Sequence, residues 1–239
     1  MKIMKIGIMQ PYFLPYIGYW QLLNAVDKYV IYDDVNYIKG GWINRNRIII
    51  NDKVQWMTLR LNGASPNKLI NEIELANDIS NTEKLLRKIL ETYRKAPYFN
   101  KICPIIEKII GCKEVNLAKY LENSIKVICE YLEIGTEIIL SSAINKNNDL
   151  RAEEKVIEIC KKLHGNEYYN AIGGKELYSY ENFYENGIKL SFLNTNLIEY
   201  KQKGNNFIPN LSILDVLMWN SKEEIQNFLK DFTLERGIV

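Results

Sequence analysis

Between Met4 and Asn46 the chain alternates a short apolar run, a loop, a helical pattern and a second apolar run. Ile6 to Met9 predicts a buried strand, and Gln10-Pro11 ends it because proline has no N–H to give a ladder. A loop rich in proline and aromatic residues follows. Leu22, Leu23 and Val26 share one face of a helix that starts near Gly18. Tyr29 to Tyr32 predicts the next strand, which runs into Asp33-Asp34. Strand, loop, helix and strand in this order make the first βαβ unit of a parallel sheet. Ligands bind beyond the carboxyl ends of such strands. Residues 10–19 and 33–46 are therefore expected to meet at that edge.

Two β-prone runs flank the turn pair Asn51-Asp52 and predict a hairpin. Residues 63–67 read as a loop, and helical patterns then dominate to Glu133. Ser80-x-x-Glu83 is read as a capping box for a helix through Tyr93. Pro97 ends that helix, and Pro104 opens another near its start. Asn116 caps a long helix whose Leu117, Leu121, Ile125, Ile128 and Leu132 form one apolar stripe. Strands then return at Glu137–Leu140, Glu167–Asn170 and Lys189–Leu193. Between them stand a helix capped by Asp149 and stopped by Gly165, and a helix through Tyr184 stopped by Gly187. Ser212 opens a helix through Trp219, with Asp215 three residues on, and Ser221-x-x-Glu224 caps the last helix. The expected fold is α/β: a three-layer core with a mainly parallel sheet of about five strands. Residues 1–62 and 135–239 form the core, and residues 63–134 a helical insertion.

A chain of 239 residues with 47% hydrophobic and 25% charged residues is long enough for that core. Its net charge of +2 gives no field for nucleic acid or an anionic membrane. No apolar run approaches the ~20 residues that span a bilayer, and the amino end does not read as a signal peptide. Four cysteines without C-x-x-C spacing read as small core residues in a reducing compartment, so the expected location is the cytoplasm. The one histidine, His164, sits at a helix end before a glycine. Histidine triads and histidine metal clusters are thereby set aside.

Candidate chemistry collects on the loops at the carboxyl ends of the strands. Asp33 and Asp34 end a strand, where a carboxylate can hold Mg²⁺, bond a ribose or act as general base. Alternation sends their side chains to opposite faces. Lys39, Trp42, Asn44, Arg45 and Asn46 follow, offering cations, an aromatic platform and amides to an anionic sugar nucleotide. Asn170, Gly173 and Gly174 follow a later strand, where glycines let a backbone approach phosphate. Asn210 and Ser212 lie at a helix start, where capping competes with binding. Gln10, Tyr12, Tyr16 and Tyr19 complete the candidate cleft, with Tyr16, Asp33 and Asp34 as catalytic candidates. No metal ligand set is assigned. The cofactor is open between Mg²⁺ and an activated acyl or aminoacyl donor, and the oligomeric state is open.

Pro15-Tyr16-Ile17-Gly18-Tyr19 stands where class I nucleotidylyltransferases carry their His-x-Gly-His signature, and resembles it with tyrosines in place of both histidines. The resemblance implies phosphate binding at a helix start, with Gly18 admitting the nucleotide. Three longer stretches resemble the WbqC-like family: MQPYFLPYIGYWQLLNAVDKYVIYDDVNYIKGGWINRNRI, NAIGGKELYSYENFYENGIKLSFL and FIPNLSILDVLMWN. That resemblance implies a place in surface-polysaccharide synthesis of the O-antigen type, on a nucleotidylyltransferase- or Rossmann-like fold. The leading reading is N-acyl or aminoacyl transfer to a nucleotide-linked amino sugar. The alternatives are a nucleotidylyltransferase-like enzyme and a non-catalytic sugar-nucleotide-binding protein.

Overall fold

The computed structural model describes residues 3–204 and 206–237. In chain order the elements begin with β1 (Lys5–Met9), α1 (Ile17–Asn24) and β2 (Lys28–Ile31), then the hairpin of β3 (Arg45–Ile50) and β4 (Lys53–Thr58). Two-residue strands β5 (Leu61–Asn62) and β6 (Glu74–Leu75) precede the helices α2 (Ile79–Tyr93), α3 (Phe99–Ile110) and α4 (Leu117–Leu132). Next come β7 (Glu137–Leu140), α5 (Ala152–Lys162), β8 (Glu167–Ala171), α6 (Tyr180–Glu185) and β9 (Lys189–Thr195). The chain closes with α7 (Ile213–Trp219), α8 (Lys222–Phe228) and β10 (Phe232–Arg236).

Six strands form the central sheet in the order β10-β9-β8-β1-β2-β7. Five are parallel, and β10 pairs antiparallel with β9. Taking the parallel strands alone in chain order, the sheet runs 3-2-1-4-5. Strand alternation builds the layers. Tyr29, Ile31, Tyr169 and Leu193 pack in one cluster with Leu22, Leu23, Ile125 and Leu217 from α1, α4 and α7. Ile6, Ile8, Val30, Tyr168 and Phe192 face the other way, onto Val156 and Cys160 of α5 and Phe183 of α6. Ile70, Ile73, Ile89, Tyr93 and Ile102 from residues 63–134 belong to the first cluster too, so that segment buries its apolar residues on the same side.

The path of the chain sets a topological switch point. From β1 it passes to β2 and later β7 on one side, then crosses back to β8 on the other. α1 leaves β1 toward one face, whereas α6 follows β8 on the opposite face. The carboxyl ends of β1 and β8 therefore flank the point where ligands bind in open α/β sheets.

Several local expectations need correction. Asp78, not Ser80, caps α2: its Oδ1 accepts from Asn81 N–H at 3.0 Å, which leaves Ser80 within the first turn. Pro104 lies inside α3 rather than near its start, and Ile102, Ile106, Ile109 and Ile110 hold that helix in place by burial. α5 begins at Ala152 with Arg151 as its cap, so Asp149 stays in the preceding loop. At its far end His164 takes the left-handed conformation (φ 58°), and Gly165 is needed because a Cβ there would lie 2.3 Å from Ile6. β10 is an addition. Its short run mixes Phe232 and Leu234 with charged residues, and only the return of the chain to the free edge of β9 makes it a strand. The hairpin is as expected, with Asn51 (φ 50°) and Asp52 (φ 58°) in the conformations a type I′ turn demands.

Candidate functional site

The loop after β1 is held from three sides. Phe13 N–H donates to Trp42 O at 3.1 Å. Asn46 Nδ2 donates to Phe13 O at 3.1 Å and Leu14 O at 2.9 Å. Ser212 Oγ also donates to Leu14 O, at 2.7 Å, and caps α7 through Leu214 N–H. These contacts fix Leu14 in the left-handed region (φ 45°), which a branched side chain adopts only under constraint. Asn46 and Ser212, both buried, thus place the loop rather than face solvent. Asn210 contributes its carbonyl, which accepts from Arg47 Nη2 at 3.2 Å.

The loop presents Gln10, Tyr12 and Tyr16 as half-buried side chains. Burial pushes the phenols of Tyr12 and Tyr16 up, so both offer neutral hydroxyls. Tyr19 lies beneath them in the core, its ring 5.7 Å from that of Tyr12 and its hydroxyl donating to Gln10 O at 3.3 Å. Gly18 does not leave room for a nucleotide, contrary to what the nucleotidylyltransferase resemblance implies. A Cβ there would lie 2.4 Å from Thr195 Oγ1 and 2.5 Å from the Tyr16 ring, so those two side chains already fill the space.

On the neighbouring strand, Asn170 is the penultimate residue of β8 and is buried, with its Oδ1 accepting from Ala171 N–H at 2.8 Å. A Cβ at Gly174 would stand 2.8 Å from Asn170 Nδ2, whereas Gly173 faces open space.

The segment from 36 to 47 is tied to itself and to the hairpin. Asn44 accepts from Tyr37 Oη and donates to Leu59 O, both at 2.8 Å. Arg45 donates to the carbonyls of Gly40 and Gly41, and its guanidinium lies 4.2 Å from the Trp56 ring. The Trp42 ring lies 5.4 Å from that of Trp56, tilted by 41°, and the Arg47 guanidinium lies 5.3 Å from the Trp42 ring. Lys39 is exposed.

Asp33 and Asp34 diverge as alternation requires. Asp33 is buried, and its carboxylate accepts from Ser142 N–H at 2.9 Å, Ser142 Oγ at 2.6 Å and Asn71 Nδ2 at 3.4 Å. It ties the end of β2 to the turn after β7. Asp34 turns toward α5, where Lys146 Nζ and Lys155 Nζ approach its Oδ2 at 2.8 and 3.1 Å. Burial opposes its ionisation, but Lys146, the Ser141 hydroxyl and Lys155 together prevail and hold the carboxyl below the usual carboxylate range. Lys155 also donates to Asp34 O at 3.1 Å and lies 5.4 Å from the Tyr32 ring. Burial first, and the Asp34 charge second, push the Tyr32 phenol well up. Because the two carboxylates point apart and are already engaged, they do not fit a shared Mg²⁺. Among the described residues no three His, Cys, Asp or Glu side chains cluster.

Lys146 and Lys155 were not legible from spacing, since nothing distinguishes them from surface lysines in the sequence. The one available hint was that helices fill the layer facing Asp34.

A family model described as "WbqC-like protein family" matches residues 10–227. A protein of Mycobacterium tuberculosis, named only as uncharacterized protein Rv1507c, is 28% identical over 231 residues, which cover 95% of this chain and 97% of that one. No solved structure matches the chain.

Proposed function

The chain belongs to the WbqC-like protein family, and on that premise we propose that it is a cytoplasmic enzyme of surface-glycan synthesis, of the O-antigen type, acting on a nucleotide-linked amino sugar. The reaction is N-acyl or aminoacyl transfer. The sugar nitrogen bonds to the acyl carbon and the donor's ester or thioester bond breaks; of the two protons the sugar ammonium gives up, one ends on the departing oxygen or sulfur and the other goes to water. The observation that carries the reading is the topological switch point between β1 and β8. The loop after β1 carries Gln10 and the neutral hydroxyls of Tyr12 and Tyr16, and the loop after β8 carries the open backbone at Gly173. Neutral hydroxyls and amides suit a sugar ring, and a rigid loop suits its orientation for attack.

In this reading Tyr16 orients the sugar amine, Asp33 fixes the strand end, and Asp34 acts as a held anion rather than a proton acceptor. Residues 63–134 form a helical insertion carried by an α/β core of residues 1–62 and 135–239. The filled space over Gly18 favours acyl transfer over nucleotidyl transfer.

The test is mass spectrometry of the protein with a panel of nucleotide-linked amino sugars and acyl or aminoacyl donors. The expected product is a sugar nucleotide heavier by one acyl group. Formation of a sugar nucleotide from a sugar 1-phosphate, a nucleoside triphosphate and Mg²⁺ would install the nucleotidylyltransferase reading instead. Binding of sugar nucleotides without any conversion would leave a binding protein.

A further inference from the structure

We propose that the cavity between the start of α1, the end of β9 and α7 seats the acyl group of the donor, and that this group is short and uncharged rather than aminoacyl. The cavity holds about 190 Å³. Cavities that take a whole drug-sized ligand begin at about 300 Å³, so this one takes part of a ligand. At about 30 Å³ per water it has room for about six waters. A methyl or methylene group fills much the same space as a water, so an acyl chain of about four or five carbons would occupy it.

Its place follows from the fold. Ile17 opens α1 directly after Tyr16, Thr195 closes β9, and both line the cavity. Thr195 Oγ1 and the Tyr16 ring also converge over Gly18, where a Cβ would lie 2.4 and 2.5 Å from them. The cavity therefore adjoins Tyr16, which in the proposed function orients the sugar amine. An acyl group seated there brings its carbonyl carbon toward that amine. The amide bond forms as the donor's ester or thioester bond breaks, and the two ammonium protons go to the departing heteroatom and to water.

The lining selects the group. Ile17, Ile198, Phe207 and Val216 give apolar walls. Tyr200 adds ring carbon, because its hydroxyl donates to the buried Asp215 at 2.9 Å. Among the described residues no charged side chain lines the cavity. The ammonium of an aminoacyl group would thus lose water without gaining a partner. Asn210 also lines the cavity, and among the described residues its side-chain amide makes no hydrogen bond, so it can donate to the acyl carbonyl. The Asn196 amide, by contrast, is committed to Asp231 at 2.7 Å.

This inference rests on the proposed function for the donor, not for the cavity. The test is carbon-13 methyl NMR of the full chain with three amides that copy the acyl end of the product: N-methylbutanamide, N-methyloctanamide and N-methylglycinamide. N-methylbutanamide is expected to shift the methyl signals of Ile17, Ile198 and Val216. N-methylglycinamide, cationic at neutral pH, and N-methyloctanamide, too long, should each bind about tenfold or more weakly. Phe207→Ala should admit N-methyloctanamide. Asn210→Gly keeps the left-handed backbone there (φ 56°) and should weaken N-methylbutanamide severalfold. The proposal is overturned if no methyl shifts, if the shifts appear away from the cavity, or if the three amides bind alike. The unaltered protein decides these points even where a variant fails to fold. Selective binding of N-methylbutanamide without acyl transfer to any sugar nucleotide would sink the proposed function alone. Transfer of aminoacyl or long acyl groups would sink this subsite alone.

Discussion

Asn46 Nδ2 stands 2.9 Å from the carbonyl oxygen of Leu14, and the contact joins the first strand of the hairpin to the loop after β1 across 32 residues. The same nitrogen serves Phe13 O. Asn46→Ala should therefore leave Phe13 O buried without its donor, while Ser212 still serves Leu14. A cost of about 1–3 kcal/mol is expected, the penalty for one unsatisfied buried group, read as a lower urea midpoint at unchanged slope. Asn46→Asp should cost more, because it turns an acceptor toward two carbonyls. An Ala variant as stable as the parent would show that the loop does not depend on this contact.

Gly18→Ala tests the packing at the start of α1. Its new Cβ meets Thr195 Oγ1 and the Tyr16 ring at under-contact distances. Displacing them should cost about 1–3 kcal/mol, the usual scale of overpacking. Adding Thr195→Ala should recover part of that loss, because one of the two obstructions is removed. Equal thermal midpoints for Gly18→Ala and the parent would refute the close approach.

Asp34→Asn removes the one anion between Lys146 and Lys155. A loss of about 3–5 kcal/mol is expected, as for other buried pairs broken from one side. The Asp34 carboxyl is held below its ordinary range, so its contribution is present above the unfolded value near ~4 and is lost as pH falls through the folded one. The acid limb of unfolding should accordingly move to higher pH if the lysines are replaced singly by Met. No movement in either variant would mean that the pairing is not made in solution.

Asp215 predicts the opposite sign. It is buried on α7, and its carboxylate accepts from Tyr93 Oη and Tyr200 Oη, each at 2.9 Å. Burial dominates and pushes its carboxyl up to about 6. A raised folded value gives stability that is complete below the unfolded value near ~4 and is lost as pH rises through about 6. From pH ~4 to pH ~7 this group alone should remove up to ~3 kcal/mol, and Asp215→Asn should remove that dependence. Urea unfolding of both forms at several pH values checks it, and parallel stability curves would refute it.

Local order was legible because it needs only neighbours in the chain. The run Ile6 to Met9, the Asn51-Asp52 turn, the stripe from Leu117 to Leu132 and the Ser221–Glu224 capping box follow from period, turn chemistry and hydrogen-bonding reach, and each stands where the sequence places it. Alternation likewise determined that Asp33 and Asp34 part. What each meets was decided by the tertiary structure alone. Lys155 lies 121 residues from Asp34, and becomes its partner only because the chain crosses from β7 to β8 through α5. Asn46 and Ser212 read as ligand groups in sequence, yet the fold turns both onto carbonyls of the loop around Leu14. β10 is a strand only because β9 offers a free edge. A single chain encodes periodicity locally, whereas charge pairing and edge pairing depend on which distant residues the topology brings within a few ångströms.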